Sequence, residues 1–323
     1  MLTMLRQLGI CLALAMLLSG ARILRADTAQ ANSLLQQGKV DQASTVLKET
    51  LVEQPNDAFA HHLLCRVYYA QGMADAAIRE CETAAAHDAD DSATQMWLGR
   101  AYGLKASRAN ALSAFVVAKK VHIAFERAVE IDPDNVHAMS DLGEYYVAAP
   151  SIVGGGLDRS RALAARMRSR FPSQAHRLLA LIAEKENNTA TAEIEFKAAV
   201  TAGRTPEAYV DLAAFYERHQ QSDKALEALQ AALRIDRRKD AALVDVASIL
   251  TSTHRSPELA ESVLREYLSS PARSDAAPAF KVHVQLGKLL ASTGDTEGAH
   301  REYTAALALA SHYAPARKAL QGS

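Results

Sequence analysis

The sequence predicts an all-α fold, a right-handed α-solenoid of about eight helix pairs, and three observations carry that reading. The first is composition: alanine is abundant, aromatics make up 6% of the 323 residues, and only 15 Gly and 9 Pro interrupt the chain. Alanine costs least in a helix, and the β-branched and aromatic residues that favour strands are few. The second is a recurring signature of Leu, a small residue, two others and an aromatic, seen at Leu64, Cys65 and Tyr68, at Leu98, Gly99 and Tyr102, at Leu142, Gly143 and Tyr146, and at Leu212, Ala213 and Tyr216. The third is a following pattern of a small residue, a large one four later and a small one three after that, as in Ala77, Cys81 and Ala84, or Ala192, Phe196 and Ala199. Both spacings place their residues on one face of a helix, with the small side chains where two backbones approach and the large ones filling the gap.

The chain opens on different chemistry. Arg6 precedes an apolar run from Leu8 to Leu18, and small residues with processing points at Ala21, Ala26 and Ala31 follow, the layout of a secretory signal peptide over residues 1–26. Eleven apolar residues are too few to span a bilayer as a helix, which needs about 20. The expected mature chain therefore starts near Asp27, has no stable membrane insertion after cleavage, and is periplasmic or secreted. A formal charge of −1 with no long run of one sign argues against a nucleic-acid partner.

From residue 27 the two signatures alternate and divide the chain into units near 27–57, 58–91, 92–135, 136–172, 173–205, 206–240, 241–279 and 280–313, with a capping helix over 314–323. Weaker copies of the first signature, Leu179, Ala180 and Ala183, and Leu286, Gly287 and Leu290, mark the fifth and eighth units. From Leu64 to Leu98 the interval is 34 residues. This pattern resembles the tetratricopeptide repeat, most completely in "MWLGRAY" and "FERAVEIDPDN". The resemblance implies a superhelix whose first helices line a concave face, and an interaction scaffold, not a particular activity. An "AP" and "GGG" turn within one repeat is similar to that of some exported, largely uncharacterised bacterial members.

Two units are longer than the period. The third carries about ten extra residues in "GLKASRANALSAFVVAKKVH", which has no Pro and no Gly after Gly103, so both of its helices are expected to be extended. The fourth carries five, at Pro150 to Gly156. Both insertions fall between first and second helix of consecutive units, so the two long turns should lie side by side.

The triple glycine Gly154, Gly155 and Gly156 leaves two readings open: a turn with positive φ, or a cradle of N–H groups for an anion ahead of a helix. The Gly-Lys-Ser/Thr ending of a phosphate loop is absent, and Asp158 stands at the helix start, where it is expected to cap the free N–H groups. Cys65 and Cys81 occupy packing positions on the two helices of the second unit and are expected to face each other, as a disulfide or as two buried thiols. Eleven histidines, with His61 and His62 adjacent and His87 beside an acidic run, show no metal-ligand spacing, so no metal, cofactor or catalytic group is assigned.

The expected binding surface is the concave face, with Phe59, His62, Arg66 and Tyr69 in the second unit, Met96 and Arg100 in the third, and Ser140 and Glu144 in the fourth. Arg, Tyr and Met suit a protein or peptide partner. Arg66 and Arg100 on adjacent rungs, with Glu144 at the equivalent place, would turn an acidic peptide end toward the N-terminal units. The alternative is a small-ligand receptor resembling the tetratricopeptide T-component of TRAP transporters.

Overall fold

The computed structural model describes residues 27–322; the expected signal peptide lies outside them. Among the described residues every regular element is helical, and the helices form eight hairpins and a final single helix. These are α1 (27–36) with α2 (Val40–Glu53), α3 (Ala58–Ala70) with α4 (Ala74–His87), and α5 (Ser92–Ala106) with α6 (Ala111–Ile131). Next come α7 (Val136–Ala148) with α8 (Leu157–Met167), α9 (Pro172–Lys185) with α10 (Thr189–Gly203), and α11 (Pro206–Arg218) with α12 (Ser222–Ile235). The last are α13 (Ala242–Ser252) with α14 (Pro257–Ser269), α15 (Ala279–Ser292) with α16 (Thr296–Leu309), and α17 (Ala314–Gln321).

Local chemistry sets these boundaries. Asp57, Asp91, Asn110, Asn135, Asn188, Thr205 and Asp295 each accept a backbone N–H from the first turn of the helix that follows, and α9, α11 and α14 open with proline. Within hairpins, small residues admit large ones. A Cβ on Gly99 would fall 2.4 Å from the Phe125 ring, and one on Gly287 would fall 2.5 Å from Tyr303. Between hairpins, a Cβ on Gly143 would meet Leu178 at 2.6 Å.

Polar clips repeat with the packing. His61, His176 and His283 on the first helix of three units reach Glu80, Glu195 and Glu302 on the second, always 19 positions on, with Nδ1 to carboxylate distances of 2.6, 2.6 and 2.7 Å. Tyr146 and Tyr216 donate to Glu126 and Glu193 on the preceding hairpin at 2.9 and 3.0 Å, and Tyr102 donates likewise to Glu82. The histidines are therefore internal ties. Among the described residues no group of three or more His, Cys, Asp or Glu is placed to hold a metal.

The first and last hairpins meet. Gln36 and Asp275 bond each other through side chain and backbone at 3.1 and 3.2 Å, the Ser311 N–H donates to Asp41 at 2.7 Å, and Gly38 (φ +78°) packs so closely on Ala279 that a Cβ there would sit 2.8 Å from its backbone nitrogen. One buried core accordingly runs through residues from Ala31 to Ala70 and from Ala180 to Ala316, and a second occupies the middle of the chain from Cys65 to Ile182.

In the third unit the extra length sits mostly on one helix. α6 has 21 residues against 14 in α2, α4, α12 and α16, while α5 has 15 and stops at Ala106. A four-residue turn separates them because Asn110 caps α6, so the two helices are extended unequally: α6 takes most of the added length and α5 exceeds the 13 or 14 residues of α3, α7, α9, α11 and α15 by one or two.

Candidate functional site

The fourth-unit turn settles against α6. After Pro150 the chain makes a short 3-10 turn over Ser151–Val153, and the Tyr145 hydroxyl lies between the carbonyls of Ala118 on α6 and Val153 on the turn, at 2.8 and 2.7 Å. Burial pushes that phenol up to about 12, so it remains a donor at any ordinary pH. The Gly154, Gly155 and Gly156 N–H groups donate to the carbonyls of Ser151, Pro150 and Tyr146. Each amide is thus used inside the turn, and the cradle reading loses its donors. Asp158 does not cap α8: Gly156 precedes the helix, and Asp158 pairs with Arg161 at 2.8 Å on the exposed side. It lies two residues past the cap position, where its carboxylate faces solvent.

Cys65 and Cys81 are joined by a disulfide, with Cα atoms 5.2 Å apart, and both are fully buried between α3 and α4.

Of the groove residues read from the sequence, Arg66, Tyr69 and Arg100 come together. They gather on Trp97, the chain's single tryptophan, whose ring has the Arg66 and Arg100 guanidinium carbons 5.4 and 4.7 Å from its centroid and meets Tyr69 edge-on at 5.3 Å. Neither arginine is open to a partner's carboxylate. Arg66 holds Asp275 at 2.9 Å and Arg100 holds Asp141 at 2.6 Å. His62 and Met96 are buried and line no surface. His62 donates a hydrogen bond from Nδ1–H to the Thr94 hydroxyl oxygen at 2.7 Å, because that hydroxyl donates its own hydrogen to Asp91. Phe59 is exposed beside the His62 ring, and Ser140 bonds back to the Val136 carbonyl within α7.

Glu144 belongs to an acidic stretch carried by successive first helices. It and Asp211 share Arg177, at 2.6 and 2.8 Å. Burial works against the charge on Arg177, but the two carboxylates outweigh it and hold the guanidinium above its ordinary range. A cavity of about 270 Å³ opens here, lined among others by Ser140, Asp141, Glu144, Arg177, Glu207 and Asp211. One rung further on, Asp245 has no ion-pair or hydrogen-bond partner for its carboxylate. Its tip is open to water while the wall surrounds it. Burial, then the charges of Asp211, Glu207 and Asp240, push its carboxyl up to about 6.

This geometry of stacked hairpins, with one polar wall of first helices, agrees with what comparison finds. The family model described as tetratricopeptide repeat matches residues 31–101, and a second model of the same description matches residues 206–239. The chain carries tetratricopeptide repeats. Among solved structures, yeast Tom70 is similar with a TM-score of 0.52 at 16% identity, over 88% of this chain and 57% of that one. The type IV pilus biogenesis factor PilW gives a TM-score of 0.49 at 15% identity, over 71% of this chain and 98% of that one. A thermophilic tetratricopeptide repeat protein of Thermus thermophilus gives 0.47 at 19%, over 71% and 99%. No curated protein matches the chain in sequence. At 16% identity the likeness to Tom70 is one of fold.

The tetratricopeptide repeat frame also shows which site residues the sequence reading passed over. Trp97, Asp141 and Asp211 each stand immediately before the Leu of the first signature, and Asp245 stands before Val246 at the same rung. Asp211 and Asp245 are 34 residues apart, the repeat period itself. That recurrence was visible in the sequence. Asp275 gave no signal, because it lies in the loop between α14 and α15 and reaches Arg66 only through the meeting of the first and last hairpins.

Proposed function

We propose that this protein is a non-catalytic scaffold that holds a basic segment of a protein partner, rich in Lys or Arg, against the concave wall of its fourth to seventh units. One observation supports this above the others: the cations of that wall are internally matched while carboxylates remain. Arg100 and Arg177 face Asp141, Glu144 and Asp211, and beyond these pairs Glu207 and Asp245 add negative charge with no cation beside them. A cleft lined by one sign of charge concentrates partners of the other sign. This reverses the polarity expected from Arg66 and Arg100, since both are satisfied internally. The cavity at Glu144 opens on the groove and is lined by polar side chains, which favours an extended segment over an enclosed apolar ligand.

We also infer that the protein works in an oxidising compartment, periplasmic or extracellular. The leader-like composition of residues 1–26 and the disulfide between Cys65 and Cys81 support this together.

The test uses Glu207→Gln with Asp245→Asn, since neither side chain holds another in place. Capture from an envelope extract, read by mass spectrometry, should recover proteins with basic segments on the unaltered chain and lose them on the double variant. Equal recovery by both would remove the acidic wall from the binding surface.

A further inference from the structure

The long α6 is not accounted for by groove binding. It exceeds its counterparts by seven residues, about 10 Å of helix at 1.5 Å per residue, and the added length lies at its N-terminal end, ahead of the point where the fourth-unit turn packs on Ala118. The helix carries apolar side chains outward: Leu112 and Val116 in its N-terminal half are 79% and 56% exposed, Ile123 just past the middle is 64% exposed, and Ile152, on the turn packed beside α6, is 70% exposed. Positions 112, 116, 119 and 123 fall on one stripe of the helix. The stripe therefore reads Leu, Val, Lys and Ile, with Lys120 at its margin.

The charge on the helix itself is of one sign as far as Glu126, which is held by His122 and Tyr146. Residues 104–125 contain Lys105, Arg108, Lys119 and Lys120 and no Asp or Glu. Lys105 is paired with Asp75, and Arg108 donates to the Gly72 carbonyl. Lys119 and Lys120 have no carboxylate partner; their ammonium groups lie 4.8 and 5.1 Å from the rings of Phe115 and Tyr102. Ordinary surface helices balance such lysines with acids one turn away, as Lys197 does with Glu193.

From this pairing of outward apolar side chains with unmatched cations, we propose that the outward face of α6, from Leu112 to Ile123, docks reversibly on an anionic lipid surface. Leu112, Val116 and Ile123 enter the boundary between headgroups and acyl chains, Ile152 assists from the adjoining turn, and Lys119 and Lys120 meet lipid phosphates. A lipid surface suits this geometry because it is deformable and uniformly negative, so a convex tip built from two elements can engage it without a complementary groove. No helix among the described residues is long and apolar enough to cross a membrane, so the contact is peripheral. The site is apart from the concave wall, and neither proposal depends on the other.

The test places a tryptophan on the stripe of the full chain as Val116→Trp, with Trp97 as a constant background. Vesicles of phosphatidylcholine with one-third phosphatidylglycerol should shift the emission of that tryptophan to the blue, while vesicles of phosphatidylcholine alone should not, and salt should reverse the shift. Adding Lys119→Glu and Lys120→Glu should weaken the vesicle affinity at least tenfold, with far-ultraviolet circular dichroism unchanged. An equal shift on both lipids, no shift, or a shift indifferent to the two lysines would overturn the proposal. So would lipid-free capture of an acidic protein through these residues when vesicles give no shift, because the face would then belong to a protein partner.

Discussion

Arg66 and Asp275, 209 positions apart, form a nearly buried ion pair in which the guanidinium donates from Nε and Nη2 to one carboxylate oxygen, both at 2.9 Å. The other oxygen accepts from Gln36 at 3.1 Å. A residue of the second unit, one of the first and a loop before the eighth are thereby locked at a single carboxylate. An open stack of repeats has only neighbour contacts; this one also has a tie across the turn of its superhelix.

Asp275→Ala should destabilise the protein by about 3 kcal/mol, since it strands the Arg66 guanidinium in a site with little water. The apolar pair Arg66→Met with Asp275→Leu should recover much of the loss. Urea unfolding of Arg66→Met, Asp275→Leu and their double against the parent gives the coupling directly. A coupling near zero would mean that the two ends are held by their apolar contacts alone.

Reduction gives a second test. The disulfide links residues 16 positions apart, and closing a loop of that size restricts the unfolded chain by about 3 kcal/mol. Cys65→Ser with Cys81→Ser should lower the unfolding midpoint by a corresponding amount, and reductant should then have no further effect. A midpoint equal to that of the oxidised protein would show that the two sulfurs only fill space.

Much of the fold was legible because helical packing writes itself at fixed spacing: Gly99 must be small where Phe125 lies on it, and both fall where the repeat signatures put them. The site was less legible for two physical reasons. A concave wall is read by position, but whether Arg100 is available depends on Asp141 at the next rung, and charge matching between rungs has no spacing rule in the sequence. The partner of Arg66 comes from the far end of the described chain, and its placement depends on the accumulated superhelical twist of all the hairpins between them. Similarly, the absence of Pro and Gly in residues 104–122 indicated extended helices, yet Asn110 was enough to start a new one and give most of the extension to α6.

The glycines at the fourth-unit turn should rank by their surroundings. Gly155 has its would-be Cβ 1.8 Å from the Ala149 carbonyl oxygen, and Gly154, at φ +98°, has its own 2.4 Å from the His122 ring. Gly156, at φ +147°, has open space around it. Alanine should therefore cost about 2–3 kcal/mol at Gly155 and at Gly154, and about 1 kcal/mol at Gly156, where only backbone strain remains. Thermal unfolding of the three variants checks the order. A Gly155→Ala protein as stable as the parent would show that the turn relaxes freely.

Acid should act on this protein through two groups of opposite sign. His62 is buried, and burial followed by the nearby Arg66 charge lowers its pKa from 6.5 to about 4, although Asp91 and Asp275 pull the other way. The unfolded chain thus takes up this proton first. Stability from the neutral imidazole is complete above about 6.5, falls as pH drops from there to about 4, and changes no further below, for a total of ~3 kcal/mol. Asp245 runs in reverse: its carboxyl is pushed up to about 6 in the folded protein, so the folded chain holds the proton first and stability falls as pH rises from 3.8 to about 6. The two slopes oppose each other between about pH 4 and 6, and the carboxyls of Asp141 and Asp211, raised by burial, and of Glu193 and Glu302, lowered by their partners, add to the parent's profile, which alone separates neither. Each can be isolated by substitution. His62→Gln, which keeps a donor for Thr94, should be closer in stability to the parent at pH 4 than at pH 7, because the parent alone loses the imidazole contribution. Asp245→Asn should gain on the parent at pH 7 and lose that advantage near pH 4. Urea midpoints across this range decide the matter, and a parent-to-variant difference that stays constant with pH for either substitution would show that the group concerned has the same affinity for its proton folded and unfolded.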